Sequence, residues 1–117
     1  MKYLMFVCTD PDADPEESRE GTLDVDEWVD KYDGSGKRLI GERVRPREDA
    51  TSVRRRQGKV LVTDGPYAES RDWIAGFDVL ECEDLDEAIA IAAEHPMAAG
   101  GRLELRPFWG DDEATTA

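Results

Sequence analysis

The first predicted strand constrains the fold more than any other segment, because it is apolar on both faces. Residues 2–8 read KYLMFVC, so the side chains on either side of this strand are mainly apolar. A strand of this kind lies inside a sheet that is covered on both sides. Helices can cover one face of the sheet that contains this strand, and the other face must be buried by something else.

Two segments have the spacing of amphipathic helices. The first has acidic residues at its start and apolar residues at i, i+3, i+4 and i+7, which are Val25, Trp28, Val29 and Tyr32. Glycines 34 and 36 should end it. The second is predicted to begin after Asp84, with Glu87 completing a pattern that resembles a capping box. Its apolar face continues to Ala93, and Pro96 closes it.

The remaining patterned segments are predicted strands, and a polar loop over residues 9–22 connects the first strand to the first helix. Two of them flank Gln57-Gly58 and predict a hairpin. Together the strands cover residues 39–46, 51–56, 59–63, 74–82 and 103–107. We predict a single domain over residues 1–109 and a disordered acidic tail over residues 110–117.

The predicted order is β-α-β-(hairpin)-β-α-β. Right-handed crossovers convert this order into one antiparallel sheet with both helices on the same face, an α+β sandwich of the ferredoxin-like type. The other face stays open, although the first strand is apolar on that side as well. In a chain of 117 residues, a second subunit is the expected cover, so we predict a homodimer.

Charge and hydropathy restrict the classes of partner. The formal net charge is −13, and the field of such a chain would repel nucleic acid and anionic membranes. No apolar run approaches the ~20 residues needed to span a bilayer. The N-terminal apolar run is too short for a signal peptide, so we expect a cytoplasmic protein.

Residues 34–63 are basic within this acidic chain, with nine bases against three acids. One interpretation is a solvated surface whose strands favour arginine. The alternatives are a local anion site or a face that docks on an acidic surface of a second copy. Acidity that serves solubility or high ionic strength is a further option.

The most distinctive motif begins at the hairpin turn and runs through the second hairpin strand into the next turn. Residues 58–69 read GKVLVTDGPYAE, in which Asp-Gly-Pro forms a turn and Asp64, Tyr67 and Glu69 follow at one place. Together with an opening MKYLM, Gly-Phe at 76–77, DLDEA at 84–88 and GGRLELRP at 100–107, this motif resembles the DGPF-domain branch of the YCII-related family. Tyr67 stands where that branch usually has phenylalanine.

The resemblance implies a ferredoxin-like fold that pairs as a dimeric α/β barrel. Relatives on that architecture include small isomerases, monooxygenases and dechlorinating enzymes, and DGPF members are often linked with sigma factors. The YCII branch is thought to use a His-Asp pair with its histidine near the first helix. Residues 24–38 contain no histidine, so that mechanism does not carry over.

His95 and Asp64 are the candidate catalytic residues. His95 is the only histidine and the only side chain with an ordinary pKa near neutrality. It could transfer protons with Asp64 or Glu69 as its orienting partner. Alternatively, His95 interacts with the negative end of the second helix.

The candidate ligand-binding residues are Tyr67, Glu69, Asp78 and Arg106, with Arg106 as the carboxylate clamp. The competing interpretation places Arg106 at an exposed edge. The sheet order assumed here puts Cys8 and Cys82 at the same end of neighbouring parallel strands, and buried free thiols are the expected outcome. We predict no metal site and no cofactor, since neither clustered ligands nor a nucleotide loop is present.

Two functions follow from these residues. The first is binding of a small organic acid or similar metabolite between helices and sheet, with cofactor-free isomerase or lyase activity as an extension. The second is a non-enzymatic interaction or regulatory module, for example one associated with a sigma factor. Whether the protein is an enzyme is left open by the sequence.

Overall fold

The computed structural model describes residues 1–65 and 73–110. The strands and helices agree closely with the sequence patterns, and a 3-10 turn covers Arg47–Asp49. Their bounds are β1 Lys2–Thr9, α1 Val25–Gly34, β2 Arg38–Arg43, β3 Thr51–Arg56, β4 Lys59–Asp64, β5 Trp73–Glu81, α2 Leu85–Ala93, α3 Met97–Gly100 and β6 Gly101–Pro107. No helix in the described ranges has the length and apolarity needed to cross a membrane.

Four strands form the main sheet in the order β2-β5-β1-β6, and every neighbouring pair is antiparallel. The α1 crossover joins β1 to β2, and the segment containing α2 and α3 joins β5 to β6. Each crossover skips one strand, so the strands it joins run parallel with an antiparallel strand between them. The result is an α+β fold compatible with the predicted ferredoxin-like arrangement.

The core lies between the helices and one face of the sheet. Alternate residues of β1 and β5 point to this side, and α1 and α2 pack over them. Burial of these side chains is the main source of stability in a domain of this size. The buried core residues are Tyr3, Met5, Val7, Leu80, Cys82, Trp28, Tyr32, Ala88, Ile91 and Ala92.

Side-chain caps fix where the two long helices begin. The Asp24 carboxylate accepts a hydrogen bond from the Glu27 amide at 2.9 Å, and Asp84 does the same for Glu87. The Glu87 carboxylate accepts from the Glu83 amide at 3.0 Å rather than from Asp84 itself. The predicted capping box is therefore present with its second bond displaced by one residue.

Glu94, directly after α2, ties the two long helices together. Its carboxylate accepts hydrogen bonds from the Lys31 ammonium at 2.8 Å and from the Tyr32 hydroxyl. Its backbone carbonyl accepts from the Leu23 amide at 2.8 Å. These bonds place the end of α2 beside α1, which determines where the following residue, His95, lies.

The predicted hairpin forms a two-stranded sheet of its own. β3 and β4 pair with each other in register from Thr51↔Asp64 to Arg56↔Lys59. Gln57 and Gly58 have φ of 51° and 74°, as the tight turn between twisted strands requires. The hairpin is therefore separate from the four-stranded sheet.

None of the helices in residues 1–65 and 73–110 covers the second face of the main sheet. Leu4, Phe6, Phe77 and Val79 lie on this side and are half-buried, and Ile40 on the edge strand is 55 % exposed. We call this surface the open face. Its apolar character agrees with the sequence of β1.

The expectation that Cys8 and Cys82 lie at the same end of parallel strands is wrong. β1 and β5 are antiparallel, Cys8 pairs with Ile74, and Cys82 lies beyond the other end of β5, where its amide donates to Met1. Both thiols are free and buried, and burial raises the pKa of each. Cys82 belongs to the core, whereas Cys8 follows the open-face register of β1.

Candidate functional site

A cleft of about 420 Å³ lies on the helix side of the sheet. One wall comes from α1, the floor from β2 and β5, and the third side from the residues after α2. Most of its lining is apolar, including Trp28, Val29 and Met97. Three ionisable side chains that enter it matter most for chemistry: Arg38, Asp78 and His95.

Asp78 and Arg38 form the most enclosed ion pair in the described chain. Arg38 Nε donates to Asp78 Oδ1 at 2.7 Å, and its Nη1 donates to Asp33 at 2.9 Å. The two side chains of the main pair are only 14 % and 8 % exposed. Burial raises the pKa of Asp78 despite the opposing effect of Arg38. No described residue donates a hydrogen bond to Asp78 Oδ2.

Two glycines make room for this arrangement. A Cβ at Gly41 would lie 2.0 Å from Asp78 Oδ1 and 2.6 Å from an Arg38 guanidinium nitrogen. A Cβ at Gly76 would lie 2.8 Å from the backbone carbonyl of Glu42. The floor of the cleft therefore depends on the absence of side chains where β2 and β5 pair.

His95 is buried, with only 5 % of its surface exposed. Its ring stands edge-on to Trp28 with centroids 4.8 Å apart, and Nδ1 accepts a hydrogen bond from the Met97 amide at 3.0 Å. Burial lowers the pKa of His95 to about 4. The ring is therefore neutral at pH 7, with its proton on Nε2. His95 does lie at the end of α2, as the alternative interpretation has it, and its amide donates to the Ala92 carbonyl at 3.0 Å. The neutral ring itself brings no charge to the helix dipole there.

This burial predicts an acid-sensitive contribution to stability. Because the folded pKa lies below the unfolded value, the unfolded chain takes up the proton first, and stability falls as the pH drops from about 6.5 towards 4. The cost reaches at most about 3 kcal/mol, less where water in the cleft screens the charge. Denaturant titrations at pH 7 and pH 4 on the wild type and His95→Gln measure it.

The difference between the two proteins isolates the histidine. Asp78 has a raised pKa, so its contribution changes in the opposite direction, but it is common to both chains and cancels. Wild type should lose about 2–3 kcal/mol more than His95→Gln on acidification. Equal losses would contradict the buried neutral state of His95.

Arg43 is the cation at the mouth of the cleft. It lines the cleft beside Glu42, is exposed, and forms no ion pair with any residue in 1–65 or 73–110. Arg38, by contrast, is already engaged by two carboxylates. Arg43 is therefore the guanidinium that can meet an incoming anion without first losing a partner.

The structure brings together two of the six candidate residues, His95 and Asp78. Asp64 is exposed at the end of β4 on the separate hairpin and does not line the cleft. Arg106 pairs opposite Leu4 in β6 and lines a different pocket with Arg102 and Glu104. Tyr67 and Glu69 lie outside the described residues.

Two cleft residues were missed by the sequence reasoning, Arg38 and Arg43. A signal for Arg38 existed, since an arginine at the start of a strand follows Asp33 by five residues, but its partner Asp78 is distant in sequence. Arg43 carried no local signal, because the neighbouring strands and loops are rich in arginine. In the described ranges, no three histidine, cysteine, aspartate or glutamate side chains could hold a metal ion.

The fold and cleft define a small α+β protein with a polar centre between its first helix and its sheet. Comparison with known proteins identifies the family: the YCII-related domain matches residues 1–109, so the chain belongs to the YCII-related family. An uncharacterised protein of Rhizobium meliloti (strain 1021) is 33% identical over 95 residues. That match covers 80% of this chain and 77% of the relative.

Proposed function

We propose that the protein binds a small organic acid in the cleft between α1 and the sheet. The observation that carries this proposal is an apolar cleft holding a neutral histidine, His95, and a cation, Arg43, that has no ion pair among the described residues. Its volume of about 420 Å³ lies within the range of small-molecule sites, roughly 300–1,000 Å³. The acidic surface elsewhere makes such a local cation a selective feature.

Each group has a separate task in this proposal. The Arg43 guanidinium pairs with the carboxylate of the ligand at the mouth of the cleft. The apolar part of the ligand contacts Trp28 and Val29. The Nε2–H of His95 donates a hydrogen bond to a second oxygen of the ligand. The hydrogen bond from the Met97 amide to Nδ1 holds the ring in the tautomer that this requires.

The same groups support cofactor-free isomerisation as an extension. Asp78 Oδ2 takes a proton from a carbon next to a carbonyl of the ligand and returns it to a different carbon. Its raised pKa makes this carboxylate a better base than an exposed one. Neutral His95 stabilises the developing oxyanion by hydrogen bonding. In this proposal Asp78, rather than Asp64, is the partner of His95.

Two finer proposals concern the family and the assembly. We place the chain in the DGPF branch, since residues 64–66 read Asp-Gly-Pro. We also propose that two copies pair through the open face as a dimeric α/β barrel. The half-buried apolar side chains of that face, which no described helix covers, support pairing.

Replacing Arg43 by methionine should weaken acid binding by at least about tenfold, because one charge-assisted bond is lost. The probes are small carboxylic acids, each compared with its uncharged amide. Thermal shift identifies binders, and calorimetry then measures their affinities. The wild type should prefer the acids.

Arg106→Met is the matched control, since it removes the same charge on the open face. Its affinity should stay within about twofold of the wild type. If Arg106→Met were the weaker binder, the site would lie on the open face. If no acid bound, the interaction-module hypothesis would be favoured.

Deuterium uptake by a bound acid in D₂O, lost in Asp78→Asn, separates an enzyme from a simple binding protein.

A further inference from the structure

Within the described part of the chain, one side of the β3–β4 hairpin has no cover. Alternation along the two strands puts Val53, Val60 and Val62 on the same side, and Val53 pairs directly with Val62. We call this surface the valine face. Its three side chains are 67 %, 53 % and 63 % exposed. On the opposite side, Ser52 and Arg54 are half-buried, so that side already has contacts.

An exposed apolar face on an isolated hairpin is unfavourable in two ways. A two-stranded hairpin is at best marginally stable in water unless a further surface packs on it. It also leaves β-branched side chains of adjacent strands in solvent, a pattern typical of association sites. The valine face therefore indicates a partner that packs against it.

Charge identifies the kind of partner. The hairpin carries four bases at its turn end: Arg54, Arg55, Arg56 and Lys59. Much of the remaining surface is acidic, and the loop over residues 10–20 contains six acids and one base. A second copy of this chain therefore offers an acidic surface for these bases, and the pairing of the two open faces brings that copy close.

The area needed for a stable dimer gives the same answer. Four strands about 4.8 Å apart and seven residues long present a face on the order of 450 Å². A standard interface buries about 800 Å² on each partner, so the open face alone falls short. A hairpin that reaches across to the other copy supplies additional area.

We propose that the hairpin of each copy packs its valine face on the second copy, with the arginine-rich turn end against acidic residues. This inference rests on the proposed pairing through the open face and assigns a separate surface to it. The hairpin then gains the cover that residues 1–65 and 73–110 of its own chain do not provide. Each copy both gives and receives a hairpin, as two-fold symmetry requires.

Val62→Asp tests the valine face, and Thr63→Asp is its matched control. The two residues are neighbours in β4, both are exposed, and they point to opposite sides of the hairpin. Sedimentation velocity over a range of protein concentrations measures the dimer dissociation constant. Val62→Asp should raise it by at least about tenfold, and Thr63→Asp should leave it within about twofold.

Ile40→Asp separates this inference from the pairing on which it rests, because Ile40 lies on the open face. If Ile40→Asp weakens the dimer but Val62→Asp does not, the pairing stands and the role of the hairpin is overturned. Equal weakening by Val62→Asp and Thr63→Asp would also overturn it, since the valine face would not matter specifically. A wild-type chain that stays monomeric at every concentration overturns both proposals, whereas acid binding is measured independently.

Discussion

Replacing Trp28 by alanine is expected to lower the free energy of unfolding by about 3–5 kcal/mol. Trp28 is only 1 % exposed and is among the largest fully buried side chains. Its indole N–H donates to the Ile91 carbonyl at 2.9 Å, and its ring contacts Tyr32 and His95. The substitution therefore leaves a cavity between the two helices and removes one of two hydrogen bonds to the Ile91 carbonyl, which keeps the bond from the Glu94 amide at 3.3 Å. Denaturant titration at a fixed protein concentration measures the loss.

Trp109→Ala provides the matched control for this substitution. Trp109 is 67 % exposed, so the same chemical change there should alter stability by no more than about 0.5 kcal/mol. Trp28→Phe keeps the aromatic packing but removes the N–H donor, and it should cost less than Trp28→Ala. A loss below about 1 kcal/mol for Trp28→Ala would contradict its place at the centre of the core.

Replacing Arg38 by methionine should cost about 3–5 kcal/mol at pH 7, because it leaves the Asp78 carboxylate buried without its partner. Asp33, the other charged group that acts on Asp78, is itself acidic and cannot compensate. The loss should shrink in acid. Asp78 has a raised folded pKa, so its protonated form is favoured in the folded state, and removing Arg38 raises that pKa further.

A double variant distinguishes the loss of stability caused by the unpaired charge from the loss caused by changed packing. Arg38→Met combined with Asp78→Asn removes both charges and should recover most of the stability lost by Arg38→Met alone. Arg45→Met is the exposed control: Arg45 pairs with Asp49 at 2.9 Å but is 86 % exposed, so its loss should be about 0–1 kcal/mol. Equal losses at Arg38 and Arg45 would show that burial of the first pair contributes nothing.

The order of the six strands and the two long helices could be predicted because each carries a local signal, whereas the short helix α3 after Pro96 was not predicted. The i, i+3, i+4 spacing around Trp28, the cap at Asp84 and the turn at Gly58 all act over a few residues. Sheet order then follows from the handedness of crossovers. The prediction for Cys8 and Cys82 failed because it treated β1 and β5 as parallel. Each crossover in this sheet joins two strands that have an antiparallel strand between them, so the adjacent strands β1 and β5 are antiparallel.

The site was less predictable because its groups meet only through packing. Gly76, Asp78 and Leu80 alternate on the side of β5 that faces the helices. A charged residue in this otherwise apolar row is a sequence signal for the site. Its pairing with Arg38 depends on Gly41, a residue that no periodicity distinguishes. The burial of His95 likewise depends on Trp28, which is 67 residues away along the chain.

The single histidine of this chain lies at the wall of its cleft, edge-on to an indole ring. In a proton NMR spectrum, the imidazole C–H signals therefore come from one residue and need no assignment by mutagenesis. The magnetic field of the adjacent aromatic ring displaces those signals, so a small rotation of either ring moves them. The native protein thus contains its own spectroscopic reporter of whether the cleft is empty or filled.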